Sequence, residues 1–160
     1  MIVLDNSVLS AFKRLDALHL IEELFRNVVV PTKVYEEFMR RWDQAEFPAW
    51  LKAETLNPKL MEEAEKLKLG MGEAQAVVLA EHRDCLLALD DERAREEAVK
   101  RGITIIGSAG ILRMAYECCP IQTKEQLKKL LDKLAGDLYL ESWLIEWVLE
   151  AQKNQASAEN

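Results

Sequence analysis

Four short apolar runs rich in β-branched residues recur along this chain, at residues 2–4, 28–30, 86–89 and 103–106, separated by longer stretches of helical period. None of the four alternates with polar positions, so each reads as a strand buried on both faces. That pattern excludes an open sheet with one wet face. It predicts α/β with a central parallel sheet.

Helical segments follow each run. Leu9, Phe12 and Leu15 space one apolar face, and Leu18, Ile21, Leu24 and Phe25 another. Pro31 stands in the first turn of a helix reaching about Trp42, where proline is tolerated. Further helices are predicted over 59–69, 72–83, 91–101 and 108–117, with Gly102 just past a helix end. The stretch 43–58, with Pro48, Trp50 and Pro58, reads as an irregular or weakly helical connection. After Pro120 only helices are expected, over 123–135 and 140–152 and joined at Gly136. Trp143 and Trp147 share a stripe with Leu140, Leu144 and Val148; core packing is the commoner use of such a stripe, a dimer face the other. At 160 residues this is one domain over 1–150, with a helical extension at 122–152 and a polar, disordered tail at 153–160.

Charge narrows the function. Against 28 acids stand 21 lysines and arginines, a formal net charge of −7, the opposite of a general nucleic-acid binder. Nucleic-acid contact must then be local or carried by a cation. No apolar run approaches the roughly 20 residues of a membrane span, and Asp5 interrupts the hydrophobic start that a secretory signal needs. A cytoplasmic location without membrane contact is expected. Cys85, Cys118 and Cys119 match neither a disulfide framework nor a zinc site.

The acids carry the chemistry. Asp5 ends the first run, at the carboxyl edge where open α/β sheets bind ligands, although Asp5, Asn6 or Ser7 could equally cap the next helix. Asp90 and Asp91 repeat the arrangement in "CLLALDDERAR". Two strands of one parallel sheet deliver carboxylates to the same edge. Glu73 opens a helix behind Gly70 and Gly72, which allow a close approach, and Glu37 lies next to the apolar stripe of Val34, Phe38 and Trp42. Singly, each is commonly a cap or a solvated face. Together they would repel: a carboxylate pair about 4 Å apart costs on the order of 4 kcal/mol at an effective dielectric of about 20. A hard divalent cation such as Mg²⁺ or Mn²⁺ relieves that repulsion and engages phosphates.

The stretches "DNSVL" (5–9), "VPTKVYEEF" (30–38), "LGMGEAQAVVLA" (69–80) and "DDERAR" (90–95) resemble, in order and spacing, the PIN-domain nucleases, and more narrowly their small VapC-like prokaryotic branch. "GSAGIL" (107–112) and "LAGDLYLES" (134–142) extend the resemblance nearly end to end. It implies a three-layer α/β/α sandwich and metal-dependent cleavage of single-stranded RNA by one or two Mg²⁺ or Mn²⁺ ions. An antitoxin protein is the partner it implies if the chain is a toxin, and a homodimer is expected through the Trp143 and Trp147 face. Carried over, the acidic quartet falls on Asp5, Glu37, Glu73 and Asp91. Asp91 stands three residues before Ala94, which suits the inward hydrophobe of the family pattern, while Asp90 stays open as the alternative or a further acid. Ser7 matches a small hydroxyl that helps hold Asp5 or a water on the metal.

Ser108 in "GSAG" could offer a phosphate contact, though tight-turn packing is the commoner role. Arg93 and Arg95, with Lys33, Arg40 and Arg41, could neutralise RNA phosphates or simply be solvated. His19 and His82 have no partner at metal spacing, and no Ser/His/Asp set is present. A rival reading keeps the fold but makes it a binding or assembly module with little turnover.

Overall fold

The computed structural model describes residues 1–43 and 46–154. The chain builds β1 (Ile2–Leu4), α1 (Asn6–Arg14), α2 (Leu18–Leu24), β2 (Val28–Pro31), α3 (Thr32–Arg41), β3 (Leu51–Glu54) and α4 (Pro58–Glu65). It continues with α5 (Met71–Arg83), β4 (Leu86–Ala88), α6 (Glu92–Lys100), β5 (Ile105–Ile106), α7 (Ser108–Glu117), α8 (Lys124–Asp137) and α9 (Ser142–Leu149). All five strands are parallel, in the order β3-β2-β1-β4-β5. This is the three-layer α/β/α class that the sequence predicts, PIN-like in its central parallel sheet.

The strand order carries a functional consequence. From β1 the chain moves outward through β2 to β3, then returns to the other side of β1 with β4 and β5. The topological switch point therefore lies between β1 and β4, where Leu4 pairs with Ala88. The next residues along, Asp5 and the Leu89–Asp91 stretch, leave the sheet side by side, and the Asp5 N–H still donates to Ala88 O at 2.9 Å.

The molecule has two compact units. The first comprises residues 1–10 and 25–106, with the whole sheet and α3 to α6. Val3, Val29 and Leu87 on one sheet face pack with Leu60 and Ala64 of α4, the Ala74–Ala80 stretch of α5, and Ala94 and Ala98 of α6. Ile2, Leu4, Val28, Val30 and Ala88, which alternate to the opposite face, are buried too. Helix α5 is buried from Ala74 through Ala80, its small side chains letting it lie close across β1, β2 and β4. Helix α6 ends at Lys100, and Gly102, with a φ of +72°, supplies the left-handed turn expected after it.

The second unit comprises residues 11–24 and the chain from 107 onward, described to 154. Leu127, Leu131 and Leu134 of α8 form its interior with Ile111, Leu112 and Ala115 of α7 and Val148 of α9. Arg14 and Asp137 pair at 3.2 Å. Lys124 caps the C-terminal end of α9 through the carbonyls of Leu149 and Ala151. Lys153 donates to Ile121 O at 2.7 Å and the Asn154 N–H to Glu117 O at 3.0 Å. The rest of the expected disordered tail, 155–160, lies outside the described residues.

Several expectations need correction. The 43–58 connection, of which 44–45 lie outside the described residues, holds a fifth strand, β3. Only Leu51 in it is buried while Lys52 and Ala53 are exposed, so no continuous apolar run announces it. Helix α4 starts at Pro58, with Asn57 Oδ1 accepting the Leu60 N–H at 3.0 Å. Gly136 lies inside α8 rather than at a junction. Trp143 and Trp147 are 63% and 40% exposed, so the tryptophan stripe does not pack as core. Arg113 stacks on the Trp147 ring at 4.3 Å and donates to its backbone carbonyl at 2.6 Å, leaving both indoles on the surface.

Candidate functional site

Asp5 is the one buried acid among the described residues. It is 3% exposed, at the end of a central strand. Its carbonyl accepts the Leu9 N–H at 3.1 Å and its Oδ2 accepts the Ser7 N–H at 3.0 Å, so Asp5 itself caps α1. The Ser7 hydroxyl also donates to Oδ2 at 2.7 Å and receives the Asp90 backbone N–H at 3.3 Å. Ser7 caps nothing; it ties the end of β1 to the end of β4. Burial pushes the Asp5 carboxyl above the usual carboxylate range, the Ser7 and Asn6 bonds oppose that, and the Asp90 charge adds to it.

Glu37 and Glu73 come from neighbouring helices. Val34 and Phe38, both fully buried, fix the rotation of α3 and turn Glu37 toward the first turn of α5, where its carboxylate lies against Gly72. Burial raises its carboxyl, the Asp5 charge raises it further, and Lys33, Arg40 and the Gly72 backbone pull the other way. Glu73 folds back so that Oε2 accepts the Gly70 N–H at 3.1 Å, the glutamate half of a capping box. Its carboxyl is also raised, first by burial and then by the charges of Asp91, Asp5 and Glu37, against the Gly70 bond.

Asp90 is half-buried and Asp91 exposed. Asp91 caps α6, Oδ1 accepting the Ala94 N–H at 2.9 Å, with Glu92 adding negative charge to that first turn. Asp90 acts electrostatically on Asp5, and Asp91 on Glu73. The cap reading of this pair is thus realised on Asp91.

The structure therefore brings Asp5, Glu37, Glu73, Asp90 and Asp91 into one electrostatically coupled group at the switch point. All donors are hard carboxylate oxygens, and the neighbouring negative charges help raise the carboxyls of Asp5, Glu37 and Glu73, which is chemistry that fits a hard divalent cation. Among the described residues no three such side chains stand close enough together to hold a metal ion as they are. Acids crowded at a helix N-terminus also tolerate one another better there than in open sheet.

The basic candidates sit nearby on the same unit. Arg93 Nη2 donates to Lys68 O at 3.2 Å, and Arg95 Nη1 to Leu89 O at 3.0 Å, just before Asp90. Lys33 and Glu36 pair loosely at 3.7 Å, and Arg41 stacks on Trp42 at 5.7 Å. Ser108 is fully buried in the first turn of α7 and belongs to the other unit. Burial pushes the Cys85 thiol up, consistent with an inert cysteine. Sequence reasoning missed the Ser7 bridge to Asp90 and the seating of Glu37 on Gly72, since neither contact leaves a mark in local periodicity.

The family model DUF3368, PIN domain, matches residues 1–154. No curated protein matches the chain. PIN domains are generally nucleases and typically use divalent metals. No helix among the described residues is long and apolar enough to cross a membrane. With the match spanning all but the last six residues, the chain belongs to the PIN-domain family.

Proposed function

We propose that this protein is a cytoplasmic endoribonuclease that hydrolyses phosphodiester bonds of single-stranded RNA with Mg²⁺ or Mn²⁺, acting as the toxin of a toxin–antitoxin pair. One observation supports the reading: the carboxylate of Asp5 is buried at the switch point, and its charge helps raise the carboxyls of Glu37 and Glu73, to which Asp91 adds at Glu73. Asp5 and Asp91 are the principal ligands in this reading, with Glu37 and Glu73 as ligands directly or through water and Asp90 as the alternative to Asp91. One or two ions there supply charge neutralisation and an activated water for in-line attack at phosphorus. Ser7 favours the ionised form of Asp5 against the effect of burial and orients it through its two hydrogen bonds. Arg93 and Arg95 offer guanidinium groups to the RNA backbone, which offsets the overall negative charge locally.

A homodimer and an antitoxin protein are the partners proposed, with the exposed Trp143 and Trp147 as the natural docking residues. Cleavage of a labelled single-stranded RNA with and without Mn²⁺ tests the reading. Loss of cleavage in EDTA and in Asp5→Asn is expected; cleavage persisting in EDTA overturns the mechanism. The rival binding module predicts no turnover and no effect of Mn²⁺ on unfolding.

A further inference from the structure

Gly72 occupies the second position of α5, where glycine is a poorer helix former than alanine. Its backbone is not in the left-handed region, so conformation does not require a glycine there. Space does. A Cβ on Gly72 would lie 2.5 Å from Glu37 Oε2 and 3.1 Å from both Glu37 Cδ and Oε1. The Glu37 carboxylate fills the place that any side chain at residue 72 would take. Gly70 differs: a Cβ there would meet Glu73 Oε2 at 3.3 Å, which a small rotation relieves.

We infer that Gly72 is a positioning residue: by lacking a side chain it seats the Glu37 carboxylate on the first turn of α5, beside Glu73. This rests on the metal-dependent ribonuclease reading for its catalytic consequence. The obstructing atom would be fixed to the backbone, whereas the carboxylate ends a flexible side chain. Alanine at 72 therefore leaves the helix intact and turns Glu37 away. Aspartate at 37 is shorter by one methylene and makes room again.

The test compares the full-length wild type, Gly72→Ala, Glu37→Asp and the double variant. Gly72→Ala should melt no lower than wild type yet lose about tenfold or more in cleavage and in Mn²⁺ affinity, the range of a lost supporting contact. The double variant should be more active and bind Mn²⁺ more tightly than Gly72→Ala alone. Metal-free amide exchange gives a readout independent of RNA and metal. The residue 72 N–H has no intrahelical acceptor, so its protection reports how closely the Glu37 carboxylate covers it and should vanish in Gly72→Ala and in Glu37→Ala. Gly72→Ala within twofold of wild type, no gain in the double variant, or an unprotected amide in wild type overturns the inference. A wild type that cleaves no RNA but keeps the protected amide and the Mn²⁺ pattern overturns the ribonuclease reading alone.

Discussion

The Ser7 hydroxyl donates to Asp5 Oδ2 at 2.7 Å while accepting the Asp90 N–H, so one side chain holds the buried acid and fixes the adjacent strand end. Ser7→Ala should lower Mn²⁺-dependent cleavage by about 10- to 100-fold, the usual cost of removing a partner that orients a ligand. Thermal stability should fall by about 1 kcal/mol for the lost bond. Initial rates and melting curves on the same preparations check both, and an unchanged rate refutes the orienting role.

The raised carboxyls of Asp5, Glu37 and Glu73 fix the sign of a pH effect. A carboxyl raised in the folded state binds its proton more tightly there than in the unfolded chain. Its stabilisation is complete below the unfolded pKa of about 4 and is lost as pH rises through the folded value. Metal-free protein should therefore melt higher as pH falls from 7 toward the upper edge of the carboxylate range. Asp5→Asn should flatten that slope and raise the neutral-pH melting temperature. A profile that only declines on acidification contradicts the coupling.

Mn²⁺ should act in the opposite direction on the same groups. At about 100 times its dissociation constant a single bound ion adds about 2.7 kcal/mol to stability. Urea titrations at neutral pH should show the midpoint rising with Mn²⁺ in wild type and much less in Asp5→Asn or Glu73→Gln. Equal shifts in all three proteins would place the ion elsewhere.

Asp91 and Asp90 are separable because asparagine caps a helix about as well as aspartate. Asp91→Asn should keep the α6 cap and the melting temperature while losing cleavage. Asp90→Asn should retain more activity than Asp91→Asn. The reverse order, measured under saturating Mn²⁺, makes Asp90 the ligand.

Trp143, 63% exposed, should tolerate replacement within about 0.5 kcal/mol, as surface positions do. Trp143→Ser should nevertheless weaken self-association, read by sedimentation velocity over a concentration series. A dimer that persists unchanged assigns the interface to another face.

The buried strands were legible because parallel strands covered on both sides write themselves as unbroken apolar runs, and β1, β2 and β4 do so. Strand β3 was not, since it sits at an edge with Lys52 and Ala53 exposed and joins the sheet through backbone bonds to β2. The acids stood out because Asp5 and Asp90–Asp91 follow such runs directly. Their coupling to Glu37 depends on how α3 packs on α5, a relation of residues 35 positions apart that no local pattern encodes. The tryptophans of α9 misled for a related reason: a helical stripe shows that one face is apolar without saying whether anything covers it.

The two outer strands also bear on how this acid-rich chain behaves at high concentration. On one edge, β3 is four residues long with two of them exposed, one a lysine; on the other, β5 has only two residues. Short edges and outward lysines are poor templates for strand addition by another molecule. The sheet that gathers the carboxylates is in this way protected against edge-to-edge aggregation.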